Sequence, residues 1–171
     1  MILNLFRRSA NPQRSCYEAI VAAARHPLFY ADWGVADTLD GRFDMISLHA
    51  FLVLDRLKGT EQAFRQDLVD ELFADMDRSL REMGVGDISV GKKVRKMAEV
   101  FYGRVAAYDQ ALAGPEGALE AAIARNVFPD QQDISGPRLL AAHVMGQRAH
   151  LALQDAGAIA RGSIHFKEPT S

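Results

Sequence analysis

Val94, Met97, Phe101, Val105, Tyr108 and Leu112 recur at spacings of three, four, four, three and four. An α-helix turns once in about 3.6 residues, so these side chains share one stripe, whereas a strand would alternate at every second position. A second stripe, Phe64, Leu68, Leu72, Phe73, Met76, Leu80 and Met83, has main spacings of four and is closed by Gly84. Between Met45 and Leu54 the chain is apolar on almost every side, which marks a helix surrounded by others. These segments restrict the chain to an all-α, single-domain bundle of about six to seven helices without substantial sheet.

Helix punctuation sets the boundaries. Asn11-Pro12 supplies an N-cap and a first-turn proline, and the helix it opens runs to about Arg25, where Pro27 disfavours helical geometry at His26. Leu28 to Trp33 forms a short helical turn or a packed connection, and Asp40-Gly41 marks a loop. Arg56 and Lys58 fall in the last turn of the central helix, Gly59 follows it, and Thr60 caps the next. Gly84-Val85-Gly86-Asp87 is read as a loop, with the following helix starting near Gly91. Gly114-Pro115 ends that helix, Phe128-Pro129-Asp130 breaks its successor, and Gly136-Pro137 starts the last, to about Asp155. The resulting division is a mobile N-terminal segment over 1–10, one helical domain over 11–156, and a loosely held tail over 157–171.

A chain of 171 residues that is 49% hydrophobic and 25% charged can bury a sizeable core without disulfides or metal. A formal net charge of −2 gives no global attraction to nucleic acid, so any electrostatic recognition is local and no DNA partner is expected. Cys16 alone makes neither an intramolecular disulfide nor a cysteine-based zinc site, which fits a reducing, cytoplasmic setting. The apolar run Met1 to Phe6 ends at Arg7-Arg8, short of the roughly 7–15 residues of an export signal. Its residues Ile2, Leu3, Leu5 and Phe6 beside two arginines suit peripheral contact with the inner membrane. The longest apolar stretch, Met45 to Leu54, is well under the ~20 residues of a membrane span.

Motifs that carry chemistry are sparse. Asp75-Met76-Asp77 begins like a calcium loop, but Leu80 and Gly86 stand where glycine and glutamate are required. His143 and His150 lie seven residues apart on one helix, about 10 Å along its axis, too far to share a metal ion. His49, on the most apolar helix, reads as a hydrogen-bonded core histidine. The absence of a phosphate loop, dinucleotide glycines or a nucleophile elbow leaves no enzyme, cofactor or metal expected. One electrostatic feature stands out: Lys92, Lys93, Arg95 and Lys96 crowd the beginning of the clean helix, where the macrodipole disfavours cations. Two readings compete, a docking patch for an acidic partner or RNA phosphate, and pairing with the preceding helix through Asp67, Asp70, Glu71, Asp75, Asp77 and Glu82.

Several blocks together resemble a known family. Phe43-Asp44-Met45-Ile46-Ser47-Leu48-His49 with Leu52 and Arg56-Leu57 forms the first, and Gln66-Asp67-Leu68-Val69 through Leu72 to Asp77 the second. Phe101-Tyr102-Gly103-Arg104, Ala107-Tyr108-Asp109 and Ala121 to Phe128 complete the set. Their order and spacing over about residues 27 to 128 resemble the ubiquinol–cytochrome c chaperone family, with the bacterial rather than the mitochondrial type suggested by Ile123. The last forty or so residues carry no recognised block.

The resemblance implies a non-catalytic assembly chaperone for the ubiquinol–cytochrome c reductase. Its client would be newly made cytochrome b or another membrane protein, with a ribosome or co-chaperone contact by analogy. The residues assigned to partner binding are Lys92, Lys93, Arg95, Lys96, Arg104 and Asp109. His49, Arg56, Tyr108, Arg125 and Asn126 are family-motif positions for which a structural role competes with a binding one. The alternative is a lipid- or quinone-binding protein or an enzyme with a helical pocket lined by Phe29, Tyr30, Trp33 and Phe43.

Overall fold

The computed structural model describes residues 11–130 and 133–170. Among them, helices α1 (Pro12–Ala24), α2 (Pro27–Ala31), α3 (Leu39–Arg56), α4 (Gln62–Glu82), α5 (Asp87–Leu112), α6 (Ala118–Val127), α7 (Ser135–Ala152) and α8 (Ala156–Ala160) follow one another without a strand. Two of these, α2 and α8, are single turns, so the all-α bundle expected from the spacing is what forms. The N-terminal segment proposed for membrane contact lies outside the described residues.

Helix α3 is the axis of the molecule. Every residue from Phe43 to Leu54 is buried, and α1, α5, α6 and α7 all pack against it. Its polar members are satisfied locally where they can be: Ser47 Oγ donates to the Phe43 carbonyl at 2.8 Å, and His49 Nδ1 lies 2.8 Å from the Met45 carbonyl. Around this axis, α4 packs on α1 and α5, and α6 bridges α5 and α7. The two stripes face inward as their periods require, with Phe101 and Tyr108 fully buried; Met83 departs from its stripe and is 56% exposed.

Side-chain caps open four of the eight helices among the described residues, α1, α2, α3 and α8, and the helix starts correct three expectations. Asn11 Oδ1 accepts from the Arg14 amide at 3.0 Å, with Pro12 in the first turn. Asp40-Gly41 is not a loop but the first turn of α3, because Thr38 accepts from the Gly41 amide at 3.1 Å and caps the helix there. Gly41 is needed for packing: a Cβ at that position would stand 2.0 Å from the Ala36 carbonyl oxygen. Thr60 does not cap α4. The cap is Glu61, in left-handed geometry at φ 48° and without a side-chain bond, while Thr60 Oγ1 turns back to the Leu57 carbonyl. Helix α5 begins at Asp87, a full turn before Gly91, so an acid occupies its first turn and the cations sit deeper, where the macrodipole acts weakly.

The segment after residue 156, expected to be loose, is docked. Asp155 caps α8 by accepting from the Ala158 amide at 2.7 Å, and Ile159 and Ile164 are buried. Beyond α8 the chain is extended, and two glutamines of the α7 end hold it as a neighbouring strand would. Gln147 donates to the Lys167 carbonyl at 2.6 Å and accepts from the Lys167 amide at 3.0 Å. Gln154 treats His165 the same way, at 2.7 and 3.0 Å. Each pairing replaces water at both polar groups of an extended residue, which removes the reason for it to leave the surface.

Candidate functional site

Helices α3, α5 and α6 enclose an open groove of about 530 Å³. Leu39, Phe43, Leu80, Met97, Val100 and Pro129 supply its apolar lining, while Lys93, Lys96, Arg104 and Arg125 place four cations around it. The α5 wall is a product of helical period, since Lys93, Met97, Val100 and Arg104 follow at intervals of four, three and four and therefore share one face. Lys93 and Arg125 have no carboxylate within ion-pair distance among the described residues, and Lys96 meets only Glu99, one turn on in α5, at 3.3 Å.

Two acids temper this charge. Asp44, buried near the start of α3, is paired with Arg104, whose side chain is only 16% exposed and whose guanidinium also lies 5.8 Å from the Phe43 ring centroid. Burial pushes the Asp44 carboxyl up to about 6, against the opposing pull of Arg104 and with a smaller push from Asp40. Behind them, the Arg104 guanidinium points toward the Asn126 carbonyl at 3.5 Å, and Asn126 lies beside the hydroxyl of fully buried Tyr108. Burial raises the Tyr108 hydroxyl well above the ordinary tyrosine value. The groove therefore has a largely buried polar base beneath an exposed cationic rim of Lys93, Lys96 and Arg125.

The residues singled out from the sequence thus divide into separate places. Lys93, Lys96, Arg104, Arg125 and Asn126 converge on the groove. Lys92 and Arg95 are exposed on another face of α5, outside the groove lining. Asp109 is remote from it and pairs with Lys58 at 2.7 Å, not with Arg104. Arg56 reaches from the end of α3 to the carbonyls of Leu151, at 2.9 Å, and Gln154, closing the C-terminus of α7. His49 is 1% exposed, and burial lowers its imidazole to about 4. Its ring packs at a tilt against Phe29 and His143 and edge-on against Phe166 of the extended tail.

The competing reading of the basic cluster, pairing with the acidic helix, is not what the geometry contains. Acids of α4 are taken by other groups: Glu71 by Arg14 at 2.7 Å, Asp75 by Tyr17 and Arg78, each at 2.9 Å, and Asp77 by Arg81 at 2.6 Å. Sequence reasoning assigned no role to Asp44, although an acid set between Phe43 and Met45 at the start of the apolar run was a signal, since such a residue must find a partner to be buried. It also passed over Leu39, Met97 and Val100, whose apolar side chains read equally well as core.

An all-α bundle carrying an open, apolar-lined and cation-rimmed groove is the class that the fold defines. The chain belongs to the ubiquinol-cytochrome C chaperone family, whose model matches residues 31–166. That match continues through α7, α8 and most of the tail, beyond the residues at which the sequence blocks ended. The ubiquinol-cytochrome-c reductase complex assembly factor 1 of Xenopus laevis is 26% identical over 120 residues, which cover 68% of this chain. Those residues span 60% of the frog protein's own length. The crystal structure of the Cbp3 homolog from Brucella abortus superposes with a TM-score of 0.81 at 44% identity, covering 98% of this chain and 97% of that one. Among the described residues no helix is long and apolar enough to cross a membrane.

Proposed function

We propose that this chain is a non-catalytic assembly chaperone that binds newly made cytochrome b and assists assembly of the ubiquinol–cytochrome c reductase, with the α3–α5–α6 groove as its client site. The observation that carries this reading is one open channel that combines an apolar lining with Lys93 and Arg125, which have no carboxylate partner among the described residues. A groove of about 530 Å³ admits a few side chains of a polypeptide segment, too little for irreversible capture. The exposed cations orient an acidic segment and speed encounter while adding little to a buried contact that must later be released. An open channel also suits a polypeptide better than the closed apolar cavity that a lipid or quinone carrier needs.

The test joins genetics to the groove. In a deletion strain, the spectrum of b-type haem in membranes reports mature cytochrome b, which is expected to fall and to return with the wild-type gene. A Lys93→Glu/Lys96→Glu/Arg125→Glu variant, altered only at exposed positions, is expected to fold normally yet fail to restore that spectrum or co-purify with cytochrome b. Normal reductase in the deletion strain would sink the proposal.

A further inference from the structure

The turn joining α4 to α5 exposes large aliphatic side chains. Met83, at the C-cap of α4, is 56% exposed, and Ile88, in the first turn of α5, is 84% exposed. Gly84 and Gly86 lie between them, with Gly84 at φ +82°, so the connection is tight and both side chains occupy the same end of the helix pair. From Ile88 a stripe runs along the outer face of α5 through Lys92, Arg95, Glu99 and Tyr102, at intervals of four, three, four and three. That stripe is about 21 Å long at 1.5 Å per residue. Tyr102 is 52% exposed, and Lys92 and Arg95 have no carboxylate within ion-pair distance among the described residues. Of the nearby acids, Asp87 is bound by Arg81 and Glu99 by Lys96, which leaves Glu82 as the exposed acid without such a partner.

We infer that this face of α5, with the Met83–Ile88 tip, lays the protein against an anionic phospholipid bilayer. Aliphatic side chains at one end, cations along the middle and a tyrosine at the far end are what an interfacial helix presents: the first enter the acyl boundary, the second meet lipid phosphates, and the third sits at headgroup depth. The same charges could meet RNA, but single-stranded RNA is read on platforms of several aromatic rings, and this stripe offers one, Tyr102, with aliphatic Met83 and Ile88 at its other end. Lys93 and Lys96 lie at the border between this face and the groove, so a bilayer contact here would hold the groove's edge at the membrane surface. This inference does not rest on the client assignment, because Ile88, Lys92 and Arg95 are outside the groove lining.

Sedimentation of the full chain with vesicles tests it. Binding is expected to vesicles of phosphatidylcholine with phosphatidylglycerol, to weaken with salt, and to be absent with phosphatidylcholine alone. Met83→Ser/Ile88→Ser and Lys92→Glu/Arg95→Glu are each expected to lower the partition coefficient at least about tenfold, with unchanged circular dichroism and unchanged co-purification of cytochrome b. Wild-type binding by both double variants would overturn the inference. So would loss of binding in a Leu5→Ser/Phe6→Ser variant alone, or binding of a single-stranded RNA by a chain that ignores the vesicles.

Discussion

Replacing Arg104 with methionine removes the counter-charge of Asp44 while keeping an unbranched side chain against Phe43. In the wild-type protein burial holds the Asp44 carboxyl at about 6 against an ordinary value of 3.8, a difference that amounts to about 3 kcal/mol. Because the folded value is raised, Asp44 favours the folded state fully below about pH 4, and that contribution is lost as pH rises through about 6. At about pH 5 the carboxyl is mostly protonated with or without Arg104, so the variant loses only packing and hydrogen bonding, about 1 kcal/mol. At about pH 8 the wild-type pair is ionised, and stripping one partner from an ion pair whose members are 16% and 8% exposed costs about 3 kcal/mol. The destabilisation should therefore grow by about 2 kcal/mol between those two pH values. Urea unfolding followed by far-ultraviolet circular dichroism measures it at each. Adding Asp44→Asn to the variant removes the unpaired carboxyl and should recover stability at the higher pH only. A loss that is the same at both pH values, or a double variant no more stable than the single one, would refute this account of the groove's base.

Three further outcomes follow from other contacts. Arg56→Ala should lower stability by about 2 kcal/mol in urea unfolding, because two carbonyls at the end of α7 lose a charged donor. Lysine should not rescue it, lacking the planar fork that reaches both. Gly41→Ala drives a Cβ to within 2.0 Å of the Ala36 carbonyl, so thermal unfolding should show a loss of about 3 kcal/mol or more, against the gain usual for an alanine in a helix. For His49 the folded value is lowered to about 4, so its contribution is present above about pH 6.5 and lost as pH falls toward 4. His49→Leu should flatten that acid limb by up to about 3 kcal/mol. Asp44→Asn should steepen it, because the Asp44 contribution runs in the opposite direction over the same range.

Helices were legible because burial on a cylinder leaves a period in α4 and α5, while α3, buried all round, shows itself by a run that is apolar on almost every side. What the period does not carry is closure. The Asp40-Gly41 pair reads as a turn by composition, yet a threonine two residues earlier supplies the cap that starts a helix through it. The tail has too few apolar residues for any stripe, and its hold on the bundle comes from the side chains of Gln147 and Gln154 pairing with backbone. Such a bond leaves no pattern in sequence, nor does Arg56 reaching a carbonyl 95 residues away. Helix α7 does bury a stripe, Leu140, Val144 and Leu151, but a stripe marks a helix and not a family, and the family match runs on to residue 166.

The basic cluster shows how a correct local observation divides in three dimensions. Lys92, Lys93, Arg95 and Lys96 are nearly consecutive, so they read as one patch. On a helix, however, neighbours in sequence stand about 100° apart, and partners on a face are three or four residues apart. Lys93 with Lys96 belongs to the groove, and Lys92 with Arg95 belongs to the outer stripe. Helix α5 thus buries Phe101 and Tyr108 on one side, lines the groove with Met97, Val100 and Arg104 on a second, and exposes Ile88 and Tyr102 on a third. Charge reversal of the two cation pairs should consequently have different effects. The groove pair should impair client capture in solution with vesicle binding largely retained, and the outer pair should impair vesicle binding with client capture retained. If both reversals impaired both properties equally, the helix would present one continuous surface, and the division into groove and membrane face would be wrong.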